Sequence, residues 1–242
     1  KGDITGVPTK EPCFGLPALW ITLEEKDRAQ MAGYTVVDLP SVLATHITEI
    51  VRNHAHELLG RQETQGLLDQ FKKDAPKVVE ELVPALLSLG AVVKVLGNLL
   101  RERVPIRDLR TILETLADYA PTTKDPDSLT EAVRQSLART ITRQYQTADR
   151  ALPVINIDPR LDQQMAAAIS HTPHGSYLTL DPLIIQKVVV AVRQAIERVA
   201  FRGVSPVLLC SPVLRPHLRK LLERVFPTIP VLSANCGAVK CI

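Results

Sequence analysis

Aromatic residues and glycine are both scarce in this chain of 242 residues. Phe, Trp and Tyr make up 4% of the sequence, and only 11 residues are glycine. So few aromatic rings argue against a platform that stacks the bases of single-stranded nucleic acid. The sequence also lacks the GxGxxG and GxxxxGK[ST] loops that cradle phosphate groups. Nucleotide binding through such loops is therefore not predicted.

Charge and cysteine show equally little diagnostic pattern. There are 29 Lys and Arg against 26 Asp and Glu, a formal net charge of +3. A dedicated nucleic-acid binder usually concentrates basic charge on one face, so we expect no nucleic-acid partner. The cysteines Cys13, Cys210, Cys236 and Cys241 form no CxxC pair, and the chain has no HExxH or GxSxG motif. We predict no metal, no cofactor and no enzymatic activity.

The histidines leave one enzymatic alternative open. The segment His54–Glu57 contains two histidines at i and i+2, which do not share a helix face, so a zinc helix is not predicted. His171 and His174 lie in a segment with proline and glycine that we expect to be an exposed turn between helices. Together with Asp158 they could serve a hydrolase-like enzyme in the C-terminal part of the chain.

Apolar residues at helical spacing dominate the middle of the chain. Helices are predicted at 61–72, 76–87, 88–101, 105–119 and 128–145. The last opens with Ser128–Glu131, the spacing of a capping box, and its Arg134, Arg139 and Arg143 form a basic face that we expect to be solvated. The stretch Leu82–Leu100 carries one charge near its middle, which favours buried helices over a membrane-spanning one.

Strands are predicted at both ends of the chain. Residues 1–38 read as a strand at Ala18–Ile21, a short helix and a second strand at Thr35–Val37, a piece too small to fold alone. Residues 147–242 alternate strands with helices, which is typical of a small α/β layer with partly parallel pairing. Its strands are expected at 153–157, 207–210 and 230–233.

Four segments, in this order and spacing, resemble the FlhA family, the export-gate proteins of the bacterial flagellar type III secretion apparatus. The injectisome export-gate proteins are the next most similar group. The resemblance extends from about residue 6 to residue 233. The segments are VPTKEPCFGLPALWI (7–21), GYTVVD (33–38), ATHITEIVRNHAHELLGRQE (44–63) and VPIRDLRTILETLA (104–117).

The resemblance implies an α/β (α+β) fold of several subdomains from the cytoplasmic part of a longer protein. Residues 1–38 would form a partial RRM-like or ferredoxin-like piece, and residues 39–59 a helix of an incomplete first cytoplasmic subdomain. Residues 60–146 would form an all-helical subdomain, and residues 147–242 a C-terminal α/β subdomain. The tail Cys236–Ile242 departs from the acidic, apolar run that the family usually has there.

The resemblance also implies a docking function. In the FlhA family a hydrophobic dimple binds export chaperones loaded with late cargo. The matching positions here are Glu11 and Phe14 in the Pro/Gly-rich turn, with Ala44 and Thr45 at the start of the following helix. Phe14 could alternatively be a core anchor for that turn. Cys13 departs from the small residue more usual at its position, which bears on the shape of the dimple.

Partners and location follow from the same resemblance. Expected partners are flagellar export chaperones with filament-type cargo, the ATPase complex and the second gate component of the export apparatus. The full protein would lie in the bacterial inner membrane, with this part facing the cytoplasm and assembling into a homo-oligomeric ring, a nonamer. The function expected is therefore a docking platform that helps to order protein export.

Overall fold

The chain forms two compact units. The computed structural model describes residues 4–12, 15–172, 175–200 and 205–233. One unit comprises residues 1–58 and the other residues 59–242. Both combine helices with short strands, so the predicted α/β (α+β) class is confirmed. The finer division into four subdomains stays a prediction.

A two-stranded hairpin opens the first unit. Strand β1 (Val7–Lys10) pairs antiparallel with β2 (Pro17–Trp20), and Val7 lies opposite Trp20. Gly6, which directly precedes β1, lies so close to β2 that a Cβ atom added to it would be 2.6 Å from the carbonyl oxygen of Trp20. Any other residue would force a backbone shift at this point.

Three helices follow the hairpin: α1 (Lys26–Met31), α2 (Leu39–Asn53) and α3 (Ala55–Leu58). The strand predicted at Thr35–Val37 is wrong, because this segment has no regular secondary structure. β-branched residues form a strand where a neighbour can pair with them, and among the described residues none pairs with this segment. Ala29 is the only described residue of the unit that is buried.

The second unit begins with a layer of helices that bury one apolar face each, as the 3.6-residue periodicity predicts. Leu96, Leu99, Ile112, Leu116 and Leu129 are fully buried in a common core. Burial of such a side chain stabilises the fold by about 1.5–3 kcal/mol relative to exposure. The helices are α4 (Arg61–Lys72), α5 (Pro76–Glu80), α6 (Leu89–Arg101), α7 (Leu109–Tyr119), α8 (Pro126–Ser136) and α9 (Ala138–Tyr145).

Aspartate caps move two helix starts away from their predicted positions. α7 begins four residues later than expected, because Asp108 Oδ1 accepts a hydrogen bond from Thr111 N at 3.2 Å. α8 begins two residues earlier, because Asp125 Oδ2 accepts from Ser128 N at 2.8 Å. The N-cap is therefore Asp125, and the capping box predicted to start at Ser128 is wrong. The predicted helix 128–145 is also divided, at Leu137.

The apolar stretch Leu82–Leu100 belongs to the core of the second unit. Six of its side chains are buried. Beyond α5 the chain makes a wide helical turn, Glu81–Leu86, in which Val83 is extended. No single helix among the described residues is long and apolar enough to cross a membrane. Pro76–Leu86 and Leu89–Arg101 reach that length and composition only as a pair, and they are bent by 108°.

Strands and helices alternate in the rest of the second unit. The strands are β3 (Val154–Asn156), β4 (Ile169–Thr172), β5 (Gly175–Leu178), β6 (Val207–Cys210) and β7 (Val231–Ser233). The helices are α10 (Pro159–Ala167), α11 (Pro182–Ala200) and α12 (Arg215–Leu222).

A three-stranded parallel sheet lies between two apolar cores. Its order is β3-β6-β7, with β6 in the centre, and both pairs are parallel as predicted. Along β6 the side chains alternate in the period of two that a strand requires. Val207 and Leu209 pack with the helical layer, whereas Leu208 and Cys210 pack with residues of α10, α11 and α12. The sheet therefore joins the two layers of helices.

The exposed turn predicted around His171 is instead part of a hairpin. β4 and β5 pair antiparallel, with Ile169 opposite Leu178. The backbone of His171 and Thr172 belongs to β4, whereas residues 173 and 174 lie outside the described residues. The mixture of Ser, Thr and His in this segment carries no clear alternation, which is why its sequence did not indicate a strand.

Candidate docking surface

The first predicted docking residue, Glu11, lies in the turn that closes the β1–β2 hairpin. Its backbone N–H donates to the carbonyl of Leu16 at 2.8 Å, and the N–H of Gly15 donates to the carbonyl of Glu11 at 2.9 Å. Gly15 has a φ of +67°, in the left-handed region that glycine enters most readily. Glu11 is half-buried. Phe14, the second predicted residue, lies outside the described residues.

Ala44 and Thr45 lie next to each other in the second turn of α2, and both are exposed. The start of this helix is fixed by Asp38, whose Oδ1 accepts from Ser41 N at 3.0 Å. Hydrogen bonds from the side chain and backbone of Ser41 hold the pKa of Asp38 below its ordinary value. The cap therefore carries a negative charge at the positive end of the helix dipole.

The hydroxyl groups on this part of α2 are engaged by the helix itself. Thr45 Oγ1 donates to the carbonyl of Ser41 at 2.8 Å, and Thr48 Oγ1 donates to the carbonyl of Ala44 at 2.7 Å. This is the local bonding that threonine makes four residues back along a helix. Because the proton of each hydroxyl is already used, these threonines can offer a partner a methyl group and an acceptor oxygen but no hydroxyl donor.

A separate side of α2 carries an exposed apolar stripe. None of the residues of α2 is buried, although the helix is clearly amphipathic. The stripe recurs every three or four residues, the spacing of one helix face. It consists of Leu39, Leu43, Ile47, Ile50 and Val51, whose exposed fractions run from 47% to 59%.

The structure brings together only part of the predicted docking set. Ala44 and Thr45 form one continuous surface on α2, and Glu11 belongs to the hairpin turn of the same unit. Phe14, the remaining member of the set, lies outside the described residues. Their assignment as chaperone-binding residues therefore stays a prediction.

A cluster of buried charges in the second unit is absent from the sequence prediction. Arg134, predicted to be solvated, and Arg215 each have side chains that are 2% exposed. Arg215 donates to Glu102 Oε2 at 2.6 Å from Nη1 and to Glu131 Oε2 at 2.6 Å from Nε. Arg134 Nη1 forms a second ion pair with Glu102 Oε2, at 3.1 Å. The prediction for Arg134 is wrong because its carboxylate partner Glu102 directly follows α6, far from α8 in the sequence.

Burial acts differently on the two carboxylates of this cluster. Burial raises the pKa of Glu102, but the positive charges of Arg134 and Arg215 outweigh it, so that its pKa lies below the ordinary value. Burial also raises the pKa of Glu131, and there the attraction of Arg215 and Arg134 does not compensate. Glu102, flanked by two guanidinium groups, is therefore the more firmly ionised of the pair.

The hydrolase alternative gains no support from Asp158. Its Oδ1 accepts from Arg160 N at 2.9 Å and from Leu161 N at 3.3 Å, which caps α10. The side chains of His171 and His174 lie outside the described residues. Within the described ranges, no group of three His, Cys, Asp or Glu side chains is arranged to hold a metal ion.

Solved structures share this fold. The CdsV protein of Chlamydia pneumoniae superposes with a TM-score of 0.82 at 30% identity, over 94% of this chain and 65% of that one. The nonameric EscV cytosolic domain from the type III secretion system superposes with a TM-score of 0.78 at 29% identity, over 90% and 66%. The fold is thus that of a type III secretion cytosolic domain.

The chain belongs to the FHIPEP family, which matches residues 1–236. It is 49% identical over 232 residues to the flagellar biosynthesis protein FlhA of Bacillus subtilis (strain 168), and 43% identical to that of Escherichia coli (strain K12). The alignments cover 96% of this chain but only 34% and 33% of those proteins. The chain therefore spans about a third of the length of these curated relatives. The predicted resemblance to the FlhA family is confirmed. These relatives are flagellar biosynthesis proteins and not known enzymes, in agreement with the prediction.

Proposed function

We propose that this chain is part of the cytoplasmic docking platform of a flagellar type III protein export gate. The observation that carries the proposal is the 49% identity with a flagellar FlhA protein over 96% of the chain. Identity with the two solved type III secretion domains is lower, 30% and 29%, which favours the flagellar over the injectisome role. In this role the chain binds other proteins and catalyses no reaction.

The proposed ligands are export chaperones carrying filament-type cargo. They would bind to the surface of Glu11, Phe14, Ala44 and Thr45. The exposure of Ala44 and Thr45 supports this assignment, as does the engaged hydroxyl of Thr45, because a surface with few free hydrogen-bonding groups accepts an apolar side chain at little desolvation cost. Glu11 would add an acidic rim that selects partners with basic or hydroxyl groups.

The assembly and location are proposed on the same basis. The EscV cytosolic domain is nonameric, and a ring of nine copies is proposed for the protein that contains this chain. That protein would lie in the bacterial inner membrane, with residues 1–242 facing the cytoplasm. There the platform would meet the ATPase complex and the second gate component. Within it, residues 1–38, 39–59, 60–146 and 147–242 would act as four subdomains.

Calorimetric titration with a flagellar chaperone–cargo complex tests the docking surface. The wild-type chain is expected to bind with a Kd on the order of micromolar. Phe14→Ala removes the proposed aromatic anchor, and Thr45→Met covers the methyl surface with a longer side chain. Both variants are expected to weaken binding at least about tenfold. Their melting temperatures should stay unchanged, since Thr45 is exposed.

A matched control is Thr122→Met, which makes the same substitution at an exposed threonine of the second unit. It should bind like the wild type. Unchanged binding by Thr45→Met would contradict the assignment of the surface. If neither the wild-type chain nor the full-length protein bound the complex, the docking function itself would be wrong. A large fall in the melting temperature of Phe14→Ala would instead identify Phe14 as a core residue.

A further inference from the structure

Three arginines hold the last strand of the sheet in place. Among the described strands, β7 pairs with β6 alone and lies at the edge of the sheet. The carbonyl of Val231 accepts hydrogen bonds from Arg134 Nη2 and Arg215 Nη1, both at 3.4 Å. Arg219 donates to the carbonyls of Pro227 at 2.9 Å and Ile229 at 3.0 Å, in the segment that leads into β7. Guanidinium groups thus satisfy backbone oxygens that none of the described strands pairs with.

Two carboxylates compete for one of these arginines. Arg215 donates to both oxygens of Glu102, at 2.6 Å and 3.1 Å, and its Nε and Nη2 donate to the two oxygens of Glu131. Glu102 has a second cation in Arg134, whereas Glu131 accepts hydrogen bonds from Arg215. The side chain of Glu102 is 13% exposed and that of Glu131 is 25% exposed.

Glu131 also has the access to solvent that proton exchange requires. It lines a cleft of about 40 Å³ between α6, α8 and α12, together with Asn98, Thr130 and Arg219. A cleft of this size is large enough for water beside the carboxylate. Glu102 lines the same cleft, but it is held between Arg134 and Arg215.

We propose that this cluster is a proton-responsive lock on β7, in which Glu102 is the permanent counter-ion and Glu131 sets how firmly Arg215 holds the strand. When Glu131 is ionised, Arg215 is shared between two carboxylates and the carbonyl of Val231. When Glu131 takes up a proton from water in the cleft, its pull on Arg215 weakens and a buried like-charge repulsion with Glu102 disappears. Arg215 then serves Glu102 and Val231, and the lock tightens.

The two pKa shifts give opposite pH dependences. Burial raises the pKa of Glu131, so protonation of Glu131 stabilises the locked state. This stabilisation is complete below the ordinary glutamate pKa and is lost as the pH rises through the raised pKa. The pKa of Glu102 is lowered, so ionisation of Glu102 stabilises the locked state. This stabilisation is present above the ordinary glutamate pKa and is lost as the pH falls through the lowered pKa. β7 is therefore held most firmly in mildly acidic solution.

Other charged groups face the cluster and define the controls. Between α7 and α8, Thr115 Oγ1 donates to Ser136 Oγ at 3.0 Å. His217 is the histidine of α12. Lys220 and Asp127 form an exposed ion pair at 2.6 Å across the mouth of the cleft. Further charged or titratable groups among the described residues are Arg101 and Arg103 at and just beyond the end of α6, Tyr145 on α9, Arg219 on α12 and Glu223 directly after it.

Hydrogen exchange of the whole chain, followed by mass spectrometry, tests the lock. Protection of peptides that contain β7 is measured at about pH 5 and about pH 7 and corrected for the intrinsic exchange rate. Wild-type protection is expected to be about threefold or more higher at the lower pH. Glu131→Gln should show that higher protection at both pH values. Glu102→Gln should lose protection at both, because Arg134 and Arg215 are left without their shared carboxylate.

The controls separate the lock from general effects of charge. His217→Gln and Lys220→Met should keep the wild-type pH response. A Glu131→Gln variant that loses protection at about pH 7, as Glu102→Gln does, would overturn the proposal. So would a wild-type chain without a pH response, or loss of that response in His217→Gln. If Glu102→Gln does not fold, the comparison of the wild type with Glu131→Gln still decides.

Discussion

At the residue scale, Thr45 shows how a polar side chain can present an apolar surface. Its type suggests a hydrogen-bonding role, yet its hydroxyl proton is donated to the carbonyl of Ser41. The side chain of Thr45 differs from that of serine by one methyl group. A partner that docks here would therefore gain from contact with this methyl group rather than from a hydrogen bond to the hydroxyl.

Substitution of Thr45 by Val tests this view. Thr45→Val keeps the shape and the methyl group and removes only the hydroxyl, so chaperone–cargo binding should remain within about twofold of the wild type. Thr45→Ser removes the methyl group instead and should weaken binding by about 0.8 kcal/mol, the value of one buried methyl group. The measurement is the same calorimetric titration. Stronger binding by Thr45→Ser than by Thr45→Val would show that the hydroxyl, not the methyl group, is recognised.

Arg134 marks a limit of prediction at the same scale. Its spacing from Arg139 and Arg143 suggested one solvated basic face, and those two arginines are indeed exposed. Arg134 is buried because its partners come from elsewhere in the chain: Glu102 directly follows α6, and Val231 lies on β7. Helical periodicity identifies the residues that share a face but not the charges that another element brings to it.

At the element scale, apolar periodicity predicted the positions of the helices, whereas their boundaries depended on single polar contacts. α4 begins at Arg61 and ends at Lys72, as predicted. α8 differs because Asp125, followed by a proline that suits the first helical turn, caps the helix ahead of Ser128. The hairpin β4–β5 was missed, since the pairing of two short polar strands depends on their register rather than on composition.

Removal of the α8 cap should destabilise the second unit. Asp125 Oδ2 accepts from Ser128 N at 2.8 Å and from Ser128 Oγ at 2.7 Å. Asp125→Ala should lower the free energy of unfolding by about 1 kcal/mol at neutral pH. Ser128→Ala, the matched control, should lower it less, because the backbone N–H still has its acceptor. Urea denaturation of the whole chain measures both, and equal losses would contradict the cap assignment.

The pH dependence of this cap follows from its pKa. Burial raises the pKa of Asp125, but the hydrogen bonds from Ser128 outweigh it and the pKa lies below the ordinary value. Its stabilising contribution is therefore present above the ordinary aspartate pKa and is lost as pH falls through the lowered value. The difference in stability between Asp125→Ala and the wild type should accordingly vanish in strong acid.

At the scale of the whole molecule, apolar exposure is concentrated in the first unit. Of the 19 large apolar side chains that are exposed among the described residues, 13 lie in residues 1–58. A soluble domain seldom leaves so much apolar surface uncovered, and larger exposed patches mark interaction sites. The sequence indicated this much, since it predicted a piece too small to form its own core.

This exposure predicts dye binding at α2. Ile47 is 59% exposed and lies within the apolar stripe. Ile47→Lys should lower the fluorescence of an apolar-surface dye bound to the chain, while the free energy of unfolding changes by no more than about 0.5 kcal/mol. Leu183→Lys, at an apolar residue of α11 that is 66% exposed, is the matched control and should leave most of the fluorescence. Equal reductions would show that the dye does not favour the first unit.

The alternating side chains of β6 have a consequence for how the second unit unfolds. Since Val207 and Leu209 belong to one core and Leu208 and Cys210 to the other, neither layer of helices can separate from the sheet without exposing a face of this strand. Heat or denaturant should therefore melt residues 59–242 in one cooperative transition. A stabilising contact made anywhere on the helical layer would then also protect the helices on the far side of the sheet.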